Sequence, residues 1–499
     1  MKGAVFMFQS VTPEQAGISS KYVAQFIRTL EKRGLATHSV LLMRGEKLFG
    51  EFYWKPFDEN FCHRLYSETK SYVSVAVGLL EQDGLLQLDD PICKYFPEKL
   101  DREPPEYLKK QTIRQMLTMS TCGETPSWFR HEDPDRVHLY LNENSACIPA
   151  GMRYSYDSPG SQVLSTLVEK LTGMSLFDFL EQRIFSKLGT FRTATILKTK
   201  TEDSFGDSAM VCTARDMASF ARFVMNYGKW NGEQLLNEAY LREATSPVVD
   251  NDFRGFDYYA ARGYGYQFWC LGDEGFFFNG MGCQLTLCIP KLDLIFSITS
   301  DNQGFDSAKD RIVTAFQDLI LENLQDAPLP EDPESYADCL ELGKTLELAH
   351  LVGNRGSDYG RELEGKVYRC EENPTGITRF SFRFLSETEG ELHYTNAQGD
   401  KVLPFGIGKN VFCKFPQFGY SDEHAGLPGS EGFLYDCAVS AAWREERKLL
   451  IKTQIIDRYF GNMLAIFSFR EDYAVVRMTK TAEDFLGEYE GMFNARREV

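Results

Sequence analysis

The sequence predicts an α+β protein: an antiparallel sheet with a helical insertion, followed by a separate all-β domain. Strand-like apolar runs occur near the N-terminus and again between Tyr264 and Thr299, with amphipathic helical segments between them. Strands at both ends of a segment with helices between them fit one sheet interrupted by helices. Beyond Leu363, short alternating or aromatic runs separated by Gly, Asn and Asp indicate a small barrel or sandwich.

The individual elements follow from periodicity and from capping residues. A helix is predicted from Ser19 to Lys32, and helices dominate again from Ser67 to Met225. A T-x-x-D pattern that begins at Thr213 is typical of a helix N-terminus. The other predicted elements are strands at 38–43, 48–53, 264–270, 276–278, 284–289 and 294–299, and helices at 160–171, 175–188, 213–227 and 308–324.

Composition marks the domain boundaries. Asp326 to Pro333 is an acidic, proline-rich linker, and a helix from Glu334 to Leu351 leads out of it. We therefore expect a first domain at 1–325, a linker with a connecting helix at 326–351, and a C-terminal β domain at 352–499. At 499 residues the chain exceeds the size at which a single core keeps growing, which agrees with two domains.

Charge and cysteine usage narrow the classes of partner. The formal net charge of −18 argues against nucleic acid and against an anionic membrane surface. The N-terminus lacks the pattern of a signal peptide, so we expect a cytoplasmic protein. The twelve cysteines are scattered, which predicts reduced core thiols and indicates neither a metal site nor a small disulfide framework. Cys283 and Cys288 should face opposite sides of a strand. No cofactor is expected.

The most informative motif is Ser67-Glu68-Thr69-Lys70, which precedes an apolar-periodic stretch. Residues three apart share one face of a helix, so the motif places a hydroxyl nucleophile beside an amine. An amine in a buried helix gives up its proton more readily, and the Ser67 N–H at a helix start is free to bind an oxyanion. The alternative is a surface lysine beside a helix-capping serine.

Five further segments of the chain resemble the motifs of one protein family in their order and spacing. They lie at 84–91, 112–120, 151–160, 212–220 and 263–269. Together with Ser67 and Lys70 they resemble the serine β-lactamase and penicillin-binding protein superfamily, in the branch of class C β-lactamases, family VIII carboxylesterases and D-amino peptidases. The resemblance covers residues 10–325 and implies the β-lactamase/transpeptidase-like fold with a serine nucleophile.

The resemblance assigns a role to Tyr156. Tyr156-Asp157-Ser158 stands at the position of the family's Y-x-N, so Tyr156 would help to deprotonate Ser67 and would later activate water. Ser158 occupies the place of the usual asparagine. It removes an amide that can both donate and accept, which puts substrate amide recognition in doubt.

The third motif departs further from the family. Phe278-Asn279-Gly280 stands where penicillin-recognising members carry K-T-G, and an aromatic first residue is similar to the W-x-G of family VIII carboxylesterases. Phe278 cannot pair with a substrate carboxylate. Gly280 allows close approach of the backbone to substrate, and the Met281 N–H is the expected second oxyanion donor beside that of Ser67. Ser158, Phe278, Asn279 and Gly280 are therefore the expected substrate-binding residues.

These observations favour a serine hydrolase that acts on a small ester, amide or short peptide. The seven histidines are dispersed, so a Ser-His-Asp triad is not indicated. Two alternatives within the same chemistry are a D-amino-acid peptidase or amidase and a weak β-lactamase. An alternative of another class is a noncatalytic ligand-binding or sensor protein that retains the fold. The sequence leaves the oligomeric state open, a homo-oligomer included.

Overall fold

A computed structural model of the protein describes residues 8–127, 131–251, 262–354, 356–417, 434–482 and 489–498. Residues 1–7, on which the expected absence of a signal peptide depends, lie outside the described residues. The chain divides into two compact units, Met1–Glu347 and Leu348–Val499.

The first unit mixes short strands and helices. Its strands are β1 Gln9–Ser10, β2 Thr37–Arg44, β3 Lys47–Tyr53, β4 His63–Arg64, β5 Thr195–Ile196, β6 Met210–Cys212, β7 Lys229–Trp230, β8 Glu233–Gln234, β9 Trp269–Cys270, β10 Phe276–Gly280, β11 Gln284–Ile289 and β12 Leu294–Ser300. Its α-helices are α1 Ser20–Lys32, α2 Thr69–Gln82, α3 Glu106–Lys110, α4 Ile113–Leu117, α5 Arg136–Glu143, α6 Ser158–Thr172, α7 Leu176–Leu180, α8 Ser186–Leu188, α9 Ala214–Met225, α10 Glu238–Ala244, α11 Ala308–Leu319 and α12 Pro333–Thr345.

A seven-stranded sheet in the order β1-β3-β2-β12-β11-β10-β9 organises this unit. Its pairings are antiparallel except for β1 with β3, and the helices α2 to α10 are inserted between β3 and β9. Both faces of the sheet are covered, since its strands have buried side chains on both sides. This arrangement confirms the predicted antiparallel sheet with a helical insertion.

The two faces have separate cores. One face packs against α1 and α11, where Phe296 stacks on Phe316 with ring centroids 4.5 Å apart. The other face packs against α2 and α9 of the insertion. Cys283 belongs to the first core and Cys288 to the second, as the odd offset between them predicts. Helix α12 buries Cys339 in the first core and is a part of the first unit.

Several predicted elements differ in their bounds. The strand expected at 264–270 is reduced to β9, because Gln267 adopts a left-handed conformation, with φ of 61°, and breaks the extended run. The helix expected at 175–188 is α7 and α8 joined by a π-helical turn at Glu181–Phe185. The capping pattern at Thr213 is confirmed, since its hydroxyl accepts the N–H of Asp216 at 3.2 Å.

The second unit is a closed β-barrel. It contains helix α13 Asp358–Leu363 and the strands β13 Val367–Cys370, β14 Arg379–Phe384, β15 Glu389–Asn396, β16 Gly399–Ile407, β17 Val411–Lys414, β18 Asp436–Glu445, β19 Lys448–Ile456, β20 Phe460–Arg470, β21 Tyr473–Thr481 and β22 Gly491–Arg497. The order is β16-β15-β14-β13-β22-β21-β20-β19-β18, and a short β16–β18 pairing closes the ring, with β17 paired to β18 outside it. This confirms the predicted all-β domain and decides for a barrel over a sandwich.

Candidate active site

Ser67 and Lys70 meet as their spacing predicts. Ser67 lies in a 3₁₀ turn, Tyr66–Glu68, that runs directly into α2, and Lys70 is the second residue of that helix. The Lys70 side chain is buried, and its Nζ donates to Ser67 Oγ at 3.0 Å. The ammonium or amine group is therefore held against the hydroxyl, and the alternative of a surface lysine does not apply.

The backbone before Ser67 is held in an unusual conformation. Tyr66 has φ of 50°, in the left-handed region that residues with a side chain rarely adopt. Thr69 supports this turn, because its hydroxyl donates to Tyr66 O at 2.6 Å and accepts the N–H of Met210 at 2.9 Å. Arg64 also packs over the Tyr66 ring, 4.4 Å from its centroid. Such strain persists where the surrounding structure imposes it, which is typical of functional positions.

A second partner orients Lys70. Its Nζ donates to the carbonyl of Asp207 at 2.6 Å. The next residue, Ser208, accepts two hydrogen bonds from the fully buried Arg64, at 3.0 Å on its carbonyl and 3.1 Å on its hydroxyl. Arg64 thus fixes the segment whose carbonyl directs Lys70 toward Ser67.

Tyr156 joins the same group. Lys70 Nζ lies 5.1 Å from the centroid of the Tyr156 ring, and the Trp269 ring stacks on Tyr156 with centroids 5.7 Å apart. Tyr156 is 36% exposed, so substrate and solvent can reach it. The structure therefore brings Ser67, Lys70 and Tyr156 together, and Lys70 contacts Tyr156 through the face of its ring.

The third motif delivers its backbone to Ser67. Gly280 ends β10, and a Cβ added there would lie 2.1 Å from the carbonyl of Leu65. The end of β10 therefore presses against the turn that carries Ser67, and only glycine permits this approach. Met281 follows directly and lines the same cavity as Ser67.

A cavity of about 410 Å³ lies beside Ser67. Ser67, Tyr156, Asn279, Gly280 and Met281 line it, as the sequence predicts. Its apolar wall includes Phe277, Leu285 and Leu287 of the sheet, Val313 of α11, and Leu271, which follows β9. Asp306, Lys309 and Asp310 are the charged side chains among its described lining residues, and burial lowers the pKa of Lys309.

Two expected substrate-binding residues lie elsewhere. Phe278 is buried against Phe220 and Phe268, with ring centroids 6.0 and 5.3 Å away, and is not among the described residues that line the cavity. Side chains alternate along a strand, so Asn279 faces the cavity and Phe278 faces the core. Ser158 begins α6 and is likewise not among the described lining residues.

Two buried carboxyl groups lie near Lys70 and were not anticipated. Burial raises the pKa of both Asp157 and Asp207, and the nearby Lys70 acts against that rise. Asp157 caps α6 by accepting the N–H of Gly160 at 3.0 Å. Asp207 has the guanidinium of Arg136 at 3.9 Å. The sequence signal for Asp157 was its place inside the Y-x-N motif, whereas nothing marked Asp207.

The histidine nearest to Ser67 in the sequence and the cysteines were also considered as functional groups. His63 is buried, bonds to His38 at 2.9 Å, and burial lowers the pKa of His63 to about 3. All twelve cysteines are free thiols. Within the described ranges, no three His, Cys, Asp or Glu side chains cluster as a metal site would require. No helix in the described part of the chain has the length and apolar character needed to span a membrane.

Comparisons with known proteins identify the family of the first unit. The family model described as Beta-lactamase matches residues 23–318. A 6-aminohexanoate-dimer hydrolase of Paenarthrobacter ureafaciens is 24% identical over 300 residues, 56% of this chain and 76% of that protein. Penicillin-binding protein 4* of Bacillus subtilis (strain 168) is 28% identical over 150 residues, 28% of this chain and 32% of that protein.

A solved structure shows the same fold. It comes from Bacillus anthracis, is provisionally described as a 6-aminohexanoate-dimer hydrolase, and has a TM-score of 0.52 at 19% identity. The match covers 64% of this chain and 89% of that one. The resemblance inferred from the motifs is thereby confirmed. The family match spans more than half of the residues of this chain, which therefore belongs to the β-lactamase family.

Proposed function

We propose that this protein is a serine hydrolase that cleaves a small ester or amide through an acyl-enzyme on Ser67. The observation that carries the proposal is the 3.0 Å hydrogen bond from Lys70 Nζ to Ser67 Oγ at the wall of an open cavity. A buried amine beside a hydroxyl is the arrangement that activates a serine nucleophile without histidine.

The first half-reaction follows from these contacts. Lys70 takes the Ser67 proton, because it is the group hydrogen-bonded to the Ser67 hydroxyl. Ser67 Oγ attacks the substrate carbonyl, and the N–H groups of Ser67 and Met281 bind the resulting oxyanion. The intermediate collapses, the leaving alcohol or amine departs with the proton from Lys70, and an ester of Ser67 remains.

The second half-reaction uses Tyr156. In its exposed position on the cavity wall, Tyr156 contacts Lys70 and can pass the proton of an attacking water to it. Water adds to the acyl carbonyl, the same two N–H groups bind the oxyanion, and Ser67 leaves with its proton restored. The products are the free acid and the unmodified enzyme.

The lining of the cavity favours some substrates over others. Its charged side chains among the described residues are two carboxyl groups and one lysine, and the third motif supplies phenylalanine in place of a cation. An anionic group beside the scissile bond would therefore be bound poorly. This supports a neutral ester or amide substrate and argues against penicillins. The relation to a 6-aminohexanoate-dimer hydrolase at 24% identity is compatible with amide cleavage.

Covalent labelling tests the proposal. Wild-type protein and Ser67→Ala are incubated with a fluorophosphonate, and the intact mass is recorded. Ser71→Ala is the matched control, since Ser71 lies on α2, donates to Gln267 O at 2.8 Å, and is not among the described lining residues. We expect one label on the wild type and on Ser71→Ala, and none on Ser67→Ala. Absence of any label on folded wild-type protein would instead favour the noncatalytic alternative.

Turnover then distinguishes substrate classes. Esters of p-nitrophenol with acyl chains of increasing length are compared with D-alanine p-nitroanilide and nitrocefin. We expect short-chain ester hydrolysis that requires Ser67 and little nitrocefin turnover. Activity confined to the D-amino anilide would assign the protein as a D-amino peptidase.

A further inference from the structure

Asp207 carries two kinds of acceptor, and a different cation faces each of them. Its main-chain carbonyl accepts from Lys70 Nζ at 2.6 Å. Its carboxylate is buried, with Oδ1 3.9 Å from a guanidinium nitrogen of Arg136. Burial raises the pKa of Asp207, and the charges of Lys70, Arg136 and Arg64 act against that rise. Lys70 is therefore close enough to attract the carboxylate, yet its hydrogen bond is to the carbonyl.

The backbone on both sides of Asp207 is held by other elements. Before it, Gln162 of α6 accepts the N–H of Gly206 at 3.1 Å. After it, the carbonyl of Ser208 accepts from the buried Arg64 at 3.0 Å. The Asp207 carbonyl is thus held in place from both sides, and the direction of the carboxylate is decided separately.

The Arg136 guanidinium is itself fixed where it faces that carboxylate. Arg136 is the first residue of α5 and is 7% exposed. Its guanidinium carbon lies 4.1 Å from the centroid of the Phe205 ring, and one of its nitrogens donates to Gln162 Oε1 at 3.5 Å. Arg136 therefore faces Asp207 from a packed position between α5 and α6.

A carboxylate that lost Arg136 would have Lys70 as another partner. Buried charges pair because an unpaired one has lost its hydration without replacement. An ion pair with the Asp207 carboxylate would draw Lys70 Nζ away from Ser67 Oγ. A neighbouring carboxylate also favours the charged form of an amine, which has no lone pair to accept a proton. Such a pair would compete with the contact on which the proposed reaction depends.

We propose that Arg136 is a positioning residue of this hydrolase, which binds the Asp207 carboxylate and so keeps it from forming an ion pair with Lys70. Lys70 is then left to contact the Asp207 carbonyl and the Ser67 hydroxyl. Arg136 acts through Asp207 and is not among the described residues that line the cavity. This inference rests on the proposed function of Ser67 and Lys70.

The steady-state kinetics of p-nitrophenyl ester hydrolysis by three variants test this role. Arg136→Gln releases the carboxylate, and we expect kcat to fall by about 10- to 100-fold with little change in KM, because the displaced group acts in the chemical step. Asp207→Asn keeps the carbonyl that Lys70 contacts and has no carboxylate to release, so its kcat should stay close to that of the wild type. The double variant Arg136→Gln/Asp207→Asn should recover most of the activity lost in Arg136→Gln.

A purely structural ion pair predicts a different pattern. Loss of either partner would then leave one buried charge uncompensated, so Arg136→Gln and Asp207→Asn should lower activity alike. The asymmetry between these two variants, together with the recovery in the double variant, therefore distinguishes restraint of the carboxylate from support of the fold.

Arg222→Gln is the matched control. Arg222 is also a buried arginine of the first unit, it pairs with Asp293, and it is not among the described lining residues of the cavity. Its replacement should lower the melting temperature, as that of Arg136 does, and should leave kcat unchanged. A fall in kcat in Arg222→Gln equal to that in Arg136→Gln would mean that the loss reflects general destabilisation.

The outcomes separate this inference from the proposed function. If hydrolysis requires Ser67 but Arg136→Gln keeps wild-type kcat, or if Asp207→Asn loses as much activity as Arg136→Gln, the positioning role is wrong and the hydrolase stands. If neither turnover nor fluorophosphonate labelling depends on Ser67, both are wrong. Circular dichroism confirms that each variant is folded. If Arg136→Gln does not fold, Arg136→Lys replaces it: a single ammonium holds the carboxylate less firmly than the guanidinium fork, so kcat should fall and Asp207→Asn should restore it.

Discussion

The carbonyl of Leu65 lies where a side chain at Gly280 would begin, 2.1 Å from the position of a Cβ. This contact joins the end of β10 to the turn that carries Ser67 and so sets the distance between the two proposed oxyanion donors. Neither residue has a reactive side chain. The geometry of the site thus depends on a backbone contact between segments more than 200 residues apart in the chain.

Replacement of Gly280 should move the end of β10 away from the turn that carries Ser67. In Gly280→Ala the backbone must shift, and we expect kcat to fall by about 100-fold, comparable to the loss of one oxyanion donor. Gly343→Ala is the control. Gly343 lies in α12, and a Cβ added there would lie 3.5 Å from the Phe52 ring, which is an ordinary van der Waals contact. Steady-state kinetics and melting temperatures of both variants check this. Wild-type kcat in Gly280→Ala would show that the contact is unimportant.

Lys70 should be irreplaceable even by another cation. A guanidinium remains protonated in proteins, so Lys70→Arg cannot accept the Ser67 proton. We expect both Lys70→Ala and Lys70→Arg to lose about 10³-fold in kcat, within the usual range for a general base. Lys94→Ala, which removes an exposed lysine paired with Asp90 at 3.0 Å, should leave kcat unchanged. An active Lys70→Arg would exclude Lys70 as the base.

Glu68 should make the protein less stable at alkaline pH. Burial raises the pKa of Glu68 from 4.5 to about 8. Its folded-state pKa is higher than the unfolded one, so the folded protein holds an extra proton between these values. The stability associated with protonated Glu68 is complete below pH 4.5 and is lost as the pH rises through about 8.

Glu68→Gln should remove this pH dependence. We expect the variant to be more stable than the wild type at pH 9 by on the order of a few kcal/mol, with little difference at pH 5. Calorimetric unfolding at several pH values measures the difference. Parallel stability curves for the two proteins would mean that Glu68 does not titrate in this range.

The barrel contains a thiol pair that should be oxidisable. Cys413 and Cys437 are direct partners in the antiparallel pairing of β17 with β18, and their sulfur atoms lie 3.5 Å apart. The hydrogen bond with Cys437 lowers the pKa of Cys413, so its thiolate can attack an oxidised disulfide reagent such as glutathione disulfide. The first glutathione leaves as a thiol, Cys437 then attacks the Cys413 sulfur of the mixed disulfide, and the second glutathione leaves as the bond between Cys413 and Cys437 forms.

Mass spectrometry detects this bond. The wild type should lose about 2 Da on treatment with glutathione disulfide, as two thiol protons are removed. Cys413→Ser should instead retain its mass, or carry glutathione on Cys437. Cys370→Ser, which removes a thiol in β13, should behave as the wild type does. A wild type that keeps both thiols under these conditions contradicts the prediction.

Local patterns predicted much of the first unit correctly. The i, i+3 spacing of Ser67 and Lys70 placed both groups together, and the Thr213 cap and the helical insertion were confirmed. The orientation of Phe278 was missed although strand alternation offered the signal, because the motif position was taken to define the side chain's surroundings. The π-helical turn at Glu181–Phe185 had no recognisable sequence signal.

Their spacing of three residues brings Ser67 and Lys70 together, because the 3₁₀ turn that carries Ser67 runs directly into α2. The other contact of Lys70 joins it to Asp207, 137 residues away, and exists only because a later segment of the helical insertion packs beside Lys70. Asn251 likewise lines the cavity from a distant part of the chain. The family and the proposed nucleophile could therefore be inferred from the order of residues, whereas the chemistry of the cavity wall depends on long-range packing, which no local pattern encodes.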